Sequence, residues 1–573
     1  MLAIVSQAVF GLALLQGFSP AARSRTVEAP AADSMRILRA ARSAQRDFEA
    51  FRRNRLPVGP GMAGPCDIRI GRYCYWRGDG DDDDKRPPEA QAVRERRDAL
   101  IVSLDTASRI LSGDPWLIGQ RVRYLVEAER TDDAVRVART ECRATMSWCL
   151  ALAGYAAHHG GKFTEAESAY ADALAAMDST ERCRWLDIAD LLEDDLEHRF
   201  SPLDCAARAA LARRVLRVGA PMYSVSATDL FTEHLARVTR ARMAEQAATP
   251  DGEPWGDDER TLMVRYGWPR WYSQSRRQDF GSQLRPSITG HDTGLPYNFL
   301  PNVTVLEHTG RATSDDWHLD DPRAPTGYAP SYARTVHTLP SQIARFRRGD
   351  STLVVAAWDA RRDTTLLGRP LDAALVIAVD GEQRAIARRS DERVVGHIEA
   401  IGLIDSGLVS LELLATKDRR AARERVGILP RTTGRVAVSD LLLYSSSAES
   451  PYELGAVRDS ALASDVAPMS RTLGVFWETY GLRPEGEPVT FTLTVEQVGV
   501  GWLQRAAERL HFTDPTTGLR VQWQEVPQRV NGVAGRGVRV DLSRLRPGRY
   551  RLQLAVEASG DPTVTSVREI DVR

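Results

Sequence analysis

The apolar residues of this chain change their period once, near Gly349, and that change constrains the fold more than any single motif does. Upstream, over residues 90–178, they recur at the i, i+3, i+4 spacing that places one stripe on a helix. Downstream, short β-branched runs such as 353–358 and 374–379 alternate with turn residues, and Asp380-Gly381 after the second is a tight-hairpin signal. The strand pattern continues through 439–444, 475–480, 489–495, 521–523, 538–542 and 550–556. Arg546-Pro547-Gly548-Arg549 supplies the turn into the last of these, a device common in antiparallel sandwiches. The expected architecture is multidomain α+β, with an α-helical repeat N-terminal half and a β-sandwich-like C-terminal half. Its 573 residues hold about three to five domains of ordinary size.

Within the helical half the clearest unit covers residues 150–174. There Gly154, Ala166, Tyr170 and Ala173 stand at the small and aromatic positions by which two antiparallel helices pack, and the unit resembles a tetratricopeptide repeat. Leu150 and Asp178 replace that family's early tryptophan and closing proline, and Ala134 precedes Ala166 by close to its period of about 34 residues. Such units cannot bury their apolar faces singly, so helices over 100–112 and 184–200 are expected to complete the stack. His158 and His159 follow the first helix of the unit and read as a polar helix end. Residues 228–246 form an amphipathic pattern with Phe231, Leu235, Val238 and Met243 toward a core.

The compartment is read from two features. Residues 2–18 are an apolar run and 19–22 a small-residue stretch, so 1–22 is expected to be a secretory signal peptide or an uncleaved anchor. Membrane association is expected only through that segment, because no other stretch approaches the roughly 20 apolar residues of a spanning helix. All six cysteines, Cys66, Cys74, Cys142, Cys149, Cys183 and Cys205, lie in the N-terminal part, and an even number in an exported chain favours disulfides. Of about 15 connectivities the favoured set joins neighbours: Cys66 with Cys74, Cys142 with Cys149, Cys183 with Cys205. On one continuous helix Cys142 and Cys149 would stand roughly 10 Å apart, too far to bridge, so a turn is expected at 143–145. Zinc spacing is absent and no metal site is assigned. The acidic run 79–84 lacks the ligand spacing of a calcium loop and reads as a solvated turn.

The stretch 255–269 runs Trp-Gly-Asp-Asp-Glu-Arg-Thr-Leu-Met-Val-Arg-Tyr-Gly-Trp-Pro. Through Trp255, Asp258, Arg265, Tyr266, Gly267 and Pro269 it resembles the signature of the bacterial GWxTD-domain family, with Pro254 and Asp257 in place of the glycine and threonine of that name. Thr232-Glu233-His234 and Arg237 are similar to the helix that precedes the signature. The resemblance implies an exported protein, a strand ending in Arg265-Tyr266-Gly267, and no assigned chemistry. Trp255, Arg265, Tyr266, Trp268 and Trp271 have the composition of a binding hot spot, and equally of a small-domain core. Core packing is favoured, with Arg265 paired to a carboxylate such as Asp258.

Net charge is −1, from 76 basic and 77 acidic residues, so no global field attracts nucleic acid. Lysine occurs only at Lys85, Lys162 and Lys417, which disfavours Schiff-base chemistry. The Gly-x-Ser-x-Gly turn, the P-loop and His-Glu-x-x-His are all absent. The remaining polar constellation is His291-Asp292 with His308, Asp315, Asp316 and His318. The expected organisation is a signal or anchor (1–22), a linker with a small Cys loop (23–89), a helical repeat domain (90–218), a GWxTD-like α/β and loop region (219–345), and β-sandwich-like modules (346–450 and 465–573). The expected function is a non-catalytic, secreted or periplasmic interaction or envelope scaffold component that binds an unknown protein or peptide and uses no cofactor. The alternative is a hydrolase or metal-dependent enzyme with its site in the loops 279–337.

Overall fold

A computed structural model describes residues 31–56, 68–71, 73–75, 88–250, 252, 255–269, 272–274, 288–291, 297–404, 406–429, 434–445, 451–464, 466–467, 472–498 and 518–573. The leading segment 1–22, the acidic run 79–84 and Cys66 lie outside them, and so does the expected Cys66 to Cys74 bridge.

Helix α1 (Ala31–Arg53) falls in the stretch read as a linker, yet it belongs to the core. Gln45, Phe48 and Glu49 are buried, and the Phe48 ring meets Tyr124 edge-on at 5.4 Å. There follow α2 (Gln91–Ile110), α3 (Pro115–Glu127), α4 (Thr131–Arg136), α5 (Met146–His159), α6 (Phe163–Ala176), α7 (Ser179–Trp185), α8 (Asp194–Phe200), α9 (Cys205–Val218) and α10 (Asp229–Ala244). Aspartates set several of their starts. Asp114, Asp178 and Asp204 each accept a backbone N–H three residues on, at 2.9 Å, giving α3, α7 and α9 a side-chain cap. Helices α5 and α6 fold back on each other across Gly160-Gly161-Lys162, and a Cβ at Gly154 would lie 2.9 Å from the Tyr170 ring. The helix expected over 184–200 is broken instead. Asp187 turns its carboxylate onto the Ala189 N–H at 3.0 Å, and α8 restarts at Asp194 with acidic residues in its first turn, where the helix dipole favours them.

Two disulfides form as expected. Cys142 and Cys149 lie 5.8 Å apart between Cα atoms, because a π turn (Val137–Glu141) ends before Cys142, which is extended, and α5 begins only at Met146. Cys183 of α7 joins Cys205 at the start of α9, with Cα atoms 5.6 Å apart. Among the described residues no helix is long and apolar enough to cross a membrane.

The signature stretch is a helix, α11 (Asp257–Tyr266), and not the expected strand. Asp257, Asp258 and Glu259 fill its first turn, and Gly267, at φ +79°, ends it in a conformation that side chains resist. A short α12 (Val303–Glu307) follows. Strands β1 (Ile68–Ile70), β2 (Tyr73–Tyr75), β3 (Ser273–Gln274) and β4 (Ile288–His291) make a small sheet in the order β1-β2-β4-β3.

The C-terminal half is strands, mostly antiparallel. Strands β5 (Thr335–Thr338), β6 (Ser341–Arg348), β7 (Ser351–Asp359), β8 (Leu371–Val379), β9 (Glu382–Glu392), β10 (Val395–Gly402), β11 (Gly407–Ala415) and β12 (Arg420–Ile428) form two sheets, ordered β5-β12-β11-β8-β9 and β10-β7-β6. Asp380 and Gly381, at φ +50° and +77°, make the expected hairpin between β8 and β9. A shared core with Val354, Trp358, Leu375, Ile398 and Leu411 lies between these sheets. Strands β13 (Ala437–Val438), β14 (Leu442–Ser445), β15 (Val466–Ala467), β16 (Thr472–Tyr480), β17 (Val489–Gln497), β18 (Gly518–Glu525), β19 (Ala534–Asp541), β20 (Gly548–Ala558) and β21 (Val564–Val572) form a second pair of sheets. Their core holds Val475, Trp477, Phe491, Leu493, Tyr550 and Leu554. The Tyr550 hydroxyl donates to the Arg546 carbonyl at 2.9 Å, anchoring the turn into β20.

The helical half rests on the first pair of sheets. Val218, Tyr223 and Trp317 pack on the outer face of β8 and β11, through Val376, Ala378 and Leu408. Both strands are thus covered on two sides, which explains their nearly continuous apolar sequence.

Candidate functional site

Polar side chains gather along α10, which sequence pattern assigns one buried face. The helix is in fact buried nearly all round, with Asp229, Thr232, His234, Arg237, Thr239 and Arg240 all in the interior. Buried charge persists only when it is paired, and each of these groups has found a partner far along the chain.

His158, expected at a polar helix end, is 5 % exposed and sits against the middle of this helix. Its Nδ1 lies 2.8 Å from the Thr232 hydroxyl and its Nε2 2.6 Å from Glu233 Oε2. Glu233 Oε1 accepts from Arg237 Nε at 2.6 Å. Burial pushes the Glu233 carboxyl up, but Arg237 and His158 outweigh it and hold the group well below the usual carboxylate range. Arg237 then spends its terminal nitrogens on carbonyls. Nη1 donates to Arg265 O at 2.6 Å and Nη2 to Gly327 O at 2.7 Å, so one guanidinium ties α10 to the end of α11 and to the loop beyond it. A carboxylate, an imidazole and a hydroxyl in line also form the set that activates a nucleophile. Here the hydroxyl is fully buried and donates to the Asp229 carbonyl at 3.0 Å, so no substrate reaches it and the line is structural.

One turn earlier, Asp229 is wholly buried and accepts from the Tyr332 hydroxyl at 2.9 Å and the Tyr328 hydroxyl at 3.3 Å. Its Oδ1 has no hydrogen-bond partner among the described residues, and burial raises the carboxyl to about 6. His234 donates from Nε2 to the Trp185 carbonyl at 3.1 Å, its Nδ1 has no partner among the described residues, and burial lowers it to about 4.

The signature residues serve the same junction. Tyr266 is 3 % exposed and donates to Ala324 O at 3.0 Å. Arg265 Nε donates to Pro325 O, while its own carbonyl accepts from Thr326 Oγ1 at 2.8 Å. The expected pairing of Arg265 with Asp258 does not form. Seven residues on one helix separate them by roughly 10 Å, and the Asp258 carboxylate lies against Gly71. Trp255 is half-buried ahead of α11, and Trp271 lies outside the described residues. Trp268 packs over Arg240, 4.1 Å from ring centroid to guanidinium carbon, with Arg123 at 5.6 Å and Arg52 at 5.8 Å. Glu127 binds all three arginines at 2.7 to 2.9 Å, and Glu49 binds Arg123 at 2.7 Å. Sequence gives no sign of this cluster, because its members come from α1, α3, α10 and the end of the signature.

The polar constellation of 279–337 is dispersed. Asp316 closes a capping box with Thr313 and accepts the Asn302 carboxamide at 2.9 Å. His308 and Asp315 are exposed, and Asp292 lies outside the described residues. His318 reaches a groove of about 190 Å³ beside Glu193, Asp195 and Asn298, with its Nδ1 3.6 Å from Glu193. No group of three metal-binding side chains occurs among the described residues.

No family model matches the chain, and no curated protein does. Among solved structures, a red sea bream transglutaminase is matched over 63 % of this chain at 13 % identity and a TM-score of 0.13. The match spans 45 % of that transglutaminase, less than half its length, and at such a score it bears on neither fold nor chemistry.

Proposed function

We propose that the chain is a non-catalytic interaction protein of the cell envelope, secreted or periplasmic, in which tetratricopeptide-like helices and β-sandwich-like modules hold a protein or peptide partner. The observation that carries this reading is the use of Arg237. The residues that resemble the GWxTD signature and its preceding helix, Glu233, Arg237, Arg265 and Tyr266, spend their polar groups on one another, on His158 and on backbone carbonyls. Groups so engaged support a divergent member of that family whose signature builds a scaffold. The two disulfides support an oxidising destination. Surfaces for a partner are the outer helices and the edge strands β9 and β18, since a sheet edge offers unpaired backbone to an extended chain. Crosslinking in the native envelope followed by mass spectrometry tests this. One reproducible partner, crosslinked through these surfaces, is expected. Recovery of the full-length chain from the cell interior with its thiols reactive would refute it.

A further inference from the structure

A half-open groove of about 340 Å³ runs between α6, α7 and α9, and the first turn of α10 closes its base. The floor is apolar, formed by Leu174 and Phe231, both buried. The walls are basic. Arg182 comes from α7 and Arg213 and Arg217 from α9, against one carboxylate, Glu167 of α6, so the lining charge is three minus one, or +2.

These arginines are unequally engaged. Arg217 leans outward to Glu382, at 2.7 Å. Arg182 spends Nη2 on the Met177 carbonyl at 2.8 Å and keeps its buried Nε without an acceptor among the described residues. Arg213 is exposed and has no ion pair there either. Glu167 accepts the Thr228 N–H at the base of the groove at 3.2 Å. Buried donors without acceptors are rare in folded chains, and forked guanidinium groups match a carboxylate geometrically. The Cys183 to Cys205 bridge joins the residue after Arg182 to the start of α9, which fixes the spacing of the two walls in advance of any ligand.

We infer that this groove binds a small amphipathic carboxylate, an organic acid whose head meets Arg182 and Arg213 and whose short apolar tail lies on Leu174 and Phe231. The volume is at the lower end of the range for small-molecule sites. The inference stands apart from the interaction reading, which needs no small ligand.

Isothermal titration of the full chain with octanoate, octanamide and octylamine tests it. Octanoate is expected to bind at about 1 mM or tighter, and octanamide at least about tenfold more weakly. Octylamine is expected to give no binding heat. Arg213→Glu, an exposed substitution that leaves the circular-dichroism melt unchanged, is expected to weaken octanoate by at least about tenfold. Arg551→Glu, on an exposed strand position of β20, should leave it unaltered. Equal binding of octanoate and octanamide would reduce the groove to its greasy floor and overturn the proposal. So would the absence of octanoate binding up to about 10 mM, or an Arg213→Glu variant that binds as tightly as the parent.

Discussion

Arg237 joins three parts of the helical half, since it meets a carboxylate on its own helix and carbonyls 28 and 90 residues away. Arg237→Met keeps the bulk but leaves Glu233 buried without its cation, and the expected cost is about 3–5 kcal/mol, read from urea denaturation. A loss under about 1 kcal/mol would show that the junction relaxes around the gap. Asp229 gives the opposite sign. Burial raises its carboxyl from 3.8 to about 6, so the folded chain holds this proton where the unfolded chain has released it. The group's contribution is therefore whole below about pH 4 and is lost as pH rises through about 6. Asp229→Asn should leave stability nearly unchanged at about pH 4 and raise it by up to about 3 kcal/mol at about pH 8, seen in melting temperatures across that range. A pH-independent offset would assign the effect to the tyrosine hydrogen bonds instead. Neither role was legible in the sequence, where Asp229 and Arg237 look like the solvated face of an amphipathic helix.

Elements differ in how much of their form is local. The two observed disulfides follow from cysteine spacing once the turn after Cys142 is allowed, and they should differ in weight. In the loop-entropy picture, removing the bridge of separation 22 costs about 3 kcal/mol and that of separation 7 about 2 kcal/mol. Paired Cys→Ala variants compared by thermal melting check this, and a larger loss for Cys142 with Cys149 would contradict it. The β8–β9 turn was legible in Asp380-Gly381 because its left-handed backbone selects those residues. Strand β9 itself was not. Its sequence, Glu-Gln-Arg-Ala-Ile-Ala-Arg-Arg-Ser-Asp-Glu, is exposed along most of its length and carries little apolar alternation. It is a strand because β8 offers it a backbone edge. Helix α11 departs in the other direction, since the resemblance implied a strand there, and the acidic first turn and Gly267 decide for a helix.

Across the whole molecule, the two β pairs stand differently toward their neighbours. The first is clamped to the helical half. Arg425, 1 % exposed, donates to the carbonyls of Val218 and Ala220 at 3.0 and 2.7 Å, and Arg214 meets Asp380 at 2.8 Å. The second has a core of its own, from Val436 to Val572, and also packs on the first, where Leu442, Tyr444 and Phe476 meet Ala344, Phe346 and Val355 and Arg345 pairs with Asp440 at 2.7 Å. A fragment of residues 434–573 should therefore fold around its own core, with dispersed NMR amide signals, while exposing Leu442, Tyr444 and Phe476, whereas 335–429 should aggregate through the uncovered face of β8 and β11. A well-folded 335–429 fragment would show that the helical cover adds little. The sequence by itself determined that a helical half precedes a strand half, set the tight hairpin and favoured two cysteine pairings, because period, turn chemistry and short spacing act within a few residues. Only the tertiary structure decided which charges lie inside, as in His158 against Glu233 and Arg425 against Val218. Those choices depend on partners 75 and 207 residues apart, and a buried charge is stable only where such a partner arrives.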